Sequence, residues 1–232
     1  MVARRLVTRW ASFGARLLAP RDFSERGWQY QLDAKGPSQL AAGGRRFASG
    51  QIGGVLVRLP RISADELRHI ATADREYVAT EVTAFLAVWL TSLSCPVLNR
   101  PAPDCLFGSN WRPEHWLRLA AQAGLVVRPV RRQVPSTAVH SKTRKGDVVT
   151  LTVVANRCFG TADKKLKRRA CQLAKAGAAD LLAVHFDGPD CDSLFLGADP
   201  NPDLLGPDVR DAVLEQLTTG PADRHFPVRV TR

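Results

Sequence analysis

Four aspartates, Asp187, Asp190, Asp192 and Asp199, lie close together in the sequence, and Asn201 follows them. Hard divalent cations take oxygen ligands, so carboxylates gathered in this way could hold one. Asp is also favoured in turns, where its side chain bonds nearby backbone, and this reading is preferred for all four. Cys158 and His185 could in principle supply a thiol nucleophile and its base. A strand cysteine more commonly packs in a core. Asn110, Arg112 and Trp116, with Asn99 and Arg100 upstream, make a candidate binding cleft. The aromatics Trp111 and Trp116 also suit the buried side of a helix.

Several chemistries are excluded by what the sequence does not contain. There is no Gly-rich phosphate loop ending in Lys-Ser/Thr, no Gly-x-Gly-x-x-Gly fingerprint and no Gly-x-Ser-x-Gly elbow. The five cysteines are odd in number and widely spaced, with no Cys-x-x-Cys pair. This argues against a zinc site or a disulfide framework and for thiols in a reducing cytoplasm. The longest apolar stretch, Val78 to Leu93, contains Glu81 and is too short and polar for a membrane span.

A net charge of +11 invites a nucleic-acid reading, but the charge is unevenly placed. Residues 1–61 carry eleven Lys and Arg against three acids, whereas residues 180–223 carry ten acids against Arg210 alone. The densest run, Lys164 to Arg169, fits the solvated face of a helix, so a nucleic-acid partner is not favoured. Residues 1–21 are Arg-rich and acid-free, with Leu6, Trp10, Phe13 and Leu17 at helical spacing. They read as a short surface helix, though a targeting presequence has a similar composition.

The elements that must position these residues follow from local signals. Strands are expected at 27–32, 46–48 and 53–60, the last ended by Pro60 and apolar enough to be buried on both faces. Ser63 and Glu66 form a capping-box pattern that opens a helix to about Ala71. A longer helix runs from about Asp74 to Leu93 with Val78, Val82, Phe85, Leu86 and Trp89 on its apolar face. Residues 96–99 form a short strand. Pro113 starts a helix that stops at Gly124, and strand 125–127 follows.

Residues 131–147 are basic and weakly patterned, and read as a linker or mobile loop between halves 1–130 and 148–232. In the second half, Val148 to Phe159 reads as one long strand and Asp163 caps a basic helix that ends at Gly177. Residues 180–186 and 193–196 read as a hairpin, and a final helix runs from Pro207 to Gly220. Alternating strands and helices in the first half argue an α/β fold with a mainly parallel sheet; the second half reads as α+β.

In this order the segments resemble an ATP-grasp ligase of the RimK-like type, closest to the microviridin-type peptide maturases. The strand ending Val57-Arg58-Leu59-Pro60 is similar to the end of the family's pre-ATP-grasp strand. Cys95-Pro-Val-Leu-Asn99-Arg100-Pro101, after the helix with Glu81, resembles its Asn-Arg-Pro strand exit. The stretch Trp116 to Leu125 resembles the helix and turn leading into the ATP-binding half. Segments 148–159 and 185–202 resemble the two core pieces of that half. In particular, Phe195-Leu-Gly-Ala-Asp199-Pro-Asn201-Pro resembles the signature Leu-Glu-x-Asn-Pro-x-Pro, in which Glu and Asn ligate the metal ions that hold ATP.

The resemblance implies a pre-ATP-grasp-like (Rossmann-like) N-terminal half, a reduced ATP-grasp-like C-terminal half, MgATP as cofactor and a peptide or protein partner. The departures imply a changed chemistry. Gly197 stands at the Glu position and Asp199 at the Asn position. Thr150 stands where an Arg is expected, and His185 where the first metal acid is expected, with Asp187 two residues on. Asp187, Asp199 and Asn201 are thus the remnant nucleotide or metal residues. Only residues 126–147 stand where the family has the subdomain whose lysines reach the phosphates, so that subdomain is expected to be missing. Phosphoryl transfer depends on positioning and charge neutralisation, so the expectation is a non-catalytic or weakly catalytic binding protein, with an ATP-dependent carboxylate–amine ligase as the alternative.

Overall fold

The computed structural model describes residues 2–24, 28, 39–42, 45–128, 148–204 and 206–219. The chain divides into two compact units, Met1–Phe107 with Asp211–Arg232, and Gly108–Arg210. The expected strand at 27–32, apart from Trp28, and the linker at 131–147 lie outside the described residues.

The first unit is built on helix α2 (Arg75–Ser92). Leu86, Trp89 and Leu90 are buried on it, with Ala79 one turn-pair earlier, and Val78, Val82 and Phe85 pack half-buried beside them. This is the face that the 3.6-residue period predicts. Trp28 stands edge-on to both Phe85 and Trp89, with ring centroids 5.7 and 5.4 Å apart, a favoured aromatic geometry. Thr83 Oγ1 accepts a hydrogen bond from Ile62 N at 3.0 Å, fixing the preceding chain to the helix. Helix α1 (Val2–Arg9) precedes this core and buries Leu6.

Strands β1 (Gln39–Ala42) and β2 (Arg45–Ala48) pair antiparallel, and β3 (Val55–Leu56) pairs parallel with β4 (Val97–Leu98). Only β2 and β4 match their expected extents. The expected strand at 53–60 contracts to two half-buried residues. An apolar run does not fix how many faces are covered, and here only one neighbour, β4, is paired. Ser63 N does donate to Glu66 Oε2 at 3.0 Å, but the capping box opens a single 3-10 turn, Ala64–Glu66, rather than a helix to Ala71. Among the described residues the parallel pairing in this unit is confined to β3 and β4, so the mixed α/β class holds while a mainly parallel sheet does not.

The second unit is a four-stranded antiparallel sheet, in the order β6-β5-β7-β8, packed against two helices. Its strands are β5 (Val149–Val154), β6 (Arg157–Phe159), β7 (Leu181–Phe186) and β8 (Phe195–Asp199). The expected single strand 148–159 is therefore a hairpin. Val154 pairs with Arg157, leaving Ala155 and Asn156 as a two-residue turn. Ala155 has φ 53°, the left-handed conformation that tight hairpin turns require at their first central residue.

Helix α3 (Pro113–Gln122) and helix α4 (Lys164–Ala176) cover one face of this sheet. Asp163 Oδ1 accepts from Lys165 N at 2.7 Å, so the expected N-cap is made. Leu166, Ala170, Leu173 and Ala174 meet Leu151, Val153, Leu182, Val184 and Phe186 in the core. Each fully buried Leu or Phe contributes about 1.5–3 kcal/mol by leaving water. The expected strand at 125–127 is a single parallel bridge from Val126 to Leu194. Helix α5 (Pro207–Thr219) closes the described chain.

Candidate functional site

Residues alternate between the two faces of a strand, so the helix-covered face fixes the identity of the other. Leu151, Val153, Leu182, Val184 and Phe186 point toward α3 and α4. Thr150, Thr152, Ala183, His185, Gly197 and Asp199 therefore share the opposite face. The register puts Thr150 opposite His185, and His185 opposite Gly197. These three form one row across β5, β7 and β8. Thr152, Ala183 and Asp199 form the next row, and Phe159 of β6 extends it beside Thr152.

The first row is the place where sequence resemblance puts an Arg, an acid and a Glu. Its members are instead a hydroxyl, an imidazole and a bare backbone. Thr150 Oγ1 and His185 Nδ1 are hydrogen-bonded at 2.9 Å, with the donor set by the imidazole tautomer. A Cβ built on Gly197 would have nothing within 4 Å, so no close packing at that position demands a glycine.

The aspartates are engaged in backbone turns. Asp187 Oδ1 accepts from Leu194 N at 2.7 Å, and Asp187 N donates to Leu194 O at 3.1 Å, closing the β7–β8 connection. Within it, Asp190 N donates to Ser193 Oγ at 3.0 Å. Asp199 Oδ1 accepts from Asn201 N at 2.8 Å, an Asx turn that leads the chain out of β8. Asp199 shares that face with the Thr150–His185–Gly197 row, and Asn201 follows it in the turn. Asp187, beyond the end of β7, belongs to the loop. No group of three His, Cys, Asp or Glu among the described residues could hold a metal ion.

The candidate cleft residues are divided between the units. Asn99, buried at the end of β4, and Arg100 lie in the first. The Arg100 guanidinium donates to Leu93 O, Thr91 O and Cys95 O at 3.3–3.4 Å. It thereby satisfies carbonyls at the C-terminus of α2, where a cation also complements the helix dipole. Asn110, Arg112 and Trp116 lie in the second unit. Asn110 and Arg112 are exposed, Arg112 in the N-cap position of α3, and Trp116 is buried in the core. Its neighbour Trp111 stacks on His115 with centroids 4.1 Å apart and donates from Nε1 to Gly177 O at 3.3 Å.

A pair of thiols had no place in the sequence reading. Cys158 on β6 and Cys171 on α4 hydrogen-bond to each other and perturb one another's acidity. Cys158 is pushed up, first by that hydrogen bond and then by burial. Cys171 is lowered to about 7, because its thiolate accepts the Cys158 proton. The proton lost first belongs to the pair. Cys95 and Cys105, by contrast, are raised chiefly by burial.

Solved structures share this architecture over nearly the whole chain. The macrocyclase MdnC of Microcystis aeruginosa, solved with precursor peptide MdnA, superimposes with a TM-score of 0.68 at 14 % identity, covering 91 % of this chain and 94 % of that one. The fold is that of the ATP-grasp peptide ligases. A RiPP-associated ATP-grasp ligase of Chryseobacterium gregarium, solved with ADP and a leader and core peptide, gives 0.68 at 11 % identity, covering 97 % and 96 %. The macrocyclase MdnB of Microcystis aeruginosa gives 0.57 at 17 % identity, covering 95 % of each chain. No protein-family model matches the sequence, and no curated protein matches it. The ATP-grasp likeness is therefore carried by the backbone. No helix among the described residues is long and apolar enough to cross a membrane.

Proposed function

We propose that this chain is a non-catalytic or weakly catalytic ATP-grasp-like protein that binds a peptide. The single observation that carries the reading is the Thr150–His185–Gly197 row. Mg²⁺ requires near-octahedral oxygen ligation, and nucleotide phosphates need cations placed against them. The row supplies neither a carboxylate nor a permanent cation, and the nearby Asp199 carboxylate already bonds Asn201 N. This donor set does not fit a metal–nucleotide centre. The peptide half of the reading rests on the solved likenesses, two of which hold peptides. On the same reading the N-terminal half is pre-ATP-grasp-like and residues 148–232 are a reduced ATP-grasp-like subdomain in a cytoplasmic protein.

The competing reading, an ATP-dependent carboxylate–amine ligase acting on a peptide, is favoured by the same fold, and one measurement separates the two. Isothermal titration with MgATP is expected to show no saturable heat up to millimolar nucleotide, while peptides enriched from a displayed library bind with or without it. Micromolar MgATP binding that disappears in Asp199→Ala, or nucleotide hydrolysis stimulated by a bound peptide, would overturn the proposal and support the ligase.

A further inference from the structure

We propose that Cys158 and Cys171 form a reversible redox site, closing to a disulfide that joins the β5–β6 hairpin to helix α4 under a peroxide oxidant. Neither the fold nor the nucleotide reading assigns a role to these thiols, and the proposal does not depend on either.

The geometry follows from the register. Cys158 lies opposite Val153, and Val153 faces the helix-covered core, so Cys158 points to the same side. Cys171 lies on α4 among the residues that cover that side, one position after buried Ala170. Both cysteines pack half-buried against the core. Cys171 Sγ also lies 3.7 Å from Asn156 O in the hairpin turn, two residues before Cys158. The helix thiol is thus held against the hairpin by donating to the turn carbonyl. The other three cysteines, Cys95, Cys105 and Cys191, have no thiol partner in the structure as described.

The surroundings assign the two roles. Thiolate is the reactive form of cysteine, and Cys171 is the member of the pair whose proton is held less tightly. Lys167 favours negative charge at Cys158 as well. In the first step the Cys171 thiolate attacks a peroxide oxygen. An S–O bond forms, the O–O bond breaks and hydroxide leaves, to be protonated to water. In the second, the Cys158 sulfur attacks the Cys171 sulfenic acid. The S–S bond forms, the S–O bond breaks, and the departing hydroxide takes the Cys158 proton as a second water. The two sulfurs together lose two electrons and the peroxide gains them. A dithiol reductant reverses the change by thiol–disulfide exchange.

The test is thiol mapping on the intact chain. Trypsin cuts after Arg157, Lys164, Arg169 and Lys175, so the two cysteines fall in separate peptides, Cys158–Lys164 and Ala170–Lys175. After brief treatment with hydrogen peroxide and alkylation in denaturant, alkylatable thiols are expected to fall from five to three. The two peptides should appear joined, lighter by two hydrogens than their sum, and dithiothreitol should restore them. In Cys158→Ser, Cys171 should stop at a sulfenic acid that dimedone traps. Five alkylated thiols after peroxide, or a disulfide that instead engages Cys95, Cys105 or Cys191, would overturn the proposal. The wild-type mapping alone decides this, so the outcome does not depend on the variants folding.

Discussion

Adding one methyl group at Gly177 separates a core role for Trp116 from a place in a binding cleft. Gly177 ends α4 with φ −80° and ψ 0°, a conformation that alanine adopts without strain. The whole penalty of Gly177→Ala is therefore steric. A Cβ there would stand 2.5 and 2.6 Å from Trp116 Cζ3 and Cη2, and 3.3 Å from Leu173 O. The indole is 3 % exposed and set among Leu119, Ala120 and Leu173, so it has little room to retreat. Overpacking of this kind costs about 1–3 kcal/mol, while replacing glycine stiffens the unfolded chain and offsets about 0.4–1 kcal/mol. The net expectation is a loss of about 1–2 kcal/mol, read from the urea midpoint at constant m-value.

The companion variant sharpens the argument. Trp116→Phe alone leaves a cavity and should cost about 1–3 kcal/mol, yet it removes the atoms that the new methyl would strike. The double variant should be less destabilised than the sum of the two, with a coupling of about 1 kcal/mol. Gly177→Ala at or above native stability, or strict additivity in the double variant, would refute this packing and return Trp116 to the candidate cleft.

Two further outcomes follow from local chemistry. Asp163→Ala removes the acceptor of Lys165 N and should destabilise the second unit by about 1 kcal/mol, with Asp163→Asn largely restoring it; no change in the urea midpoint would mean the cap contributes nothing. Alkylation of Cys171 by iodoacetamide should rise with pH through about 7 and level off above it, since only the thiolate reacts. Cys158→Ser would remove the thiol that donates to it. A Cys171 profile still climbing at pH 9 in the native chain would contradict the hydrogen-bonded pair.

What the sequence made legible was chemistry confined to a few adjacent residues. Asp163 before Lys164, and Gly177 after the last apolar residue, bracket α4 because capping is a local event. Helix α2 was legible from the spacing of Val78, Val82, Phe85, Leu86 and Trp89, since one face of a helix is written in a single segment. The β5–β6 turn was not, because Ala155 and Asn156 interrupt a Val/Thr-rich run without the glycine that marks most tight hairpins. Strand 53–60 was overextended because apolar composition measures burial, whereas a strand ends where its partner ends. The Thr150–His185–Gly197 row is a matter of cross-strand register, which no one strand records; each member was placed only approximately, through family resemblance. Cys158 and Cys171 were invisible as a pair for the same reason, one lying on a strand and the other on a helix.

The sheet of the second unit also has to avoid recruiting a stranger. An outer strand offers unpaired N–H and C=O groups to any extended chain, a standard route to aggregation. One rim here is β6, only three residues long and carrying exposed Arg157. Short length and charge both discourage addition there. At the other rim, Val126 already occupies the start of β8, with Phe195 N donating to Val126 O at 2.8 Å, and the strand runs directly into Pro200 and Pro202, which have no N–H to offer. The two prolines of the altered signature thus mark where β-addition must stop. Ending a strand in this way requires neither metal nor nucleotide.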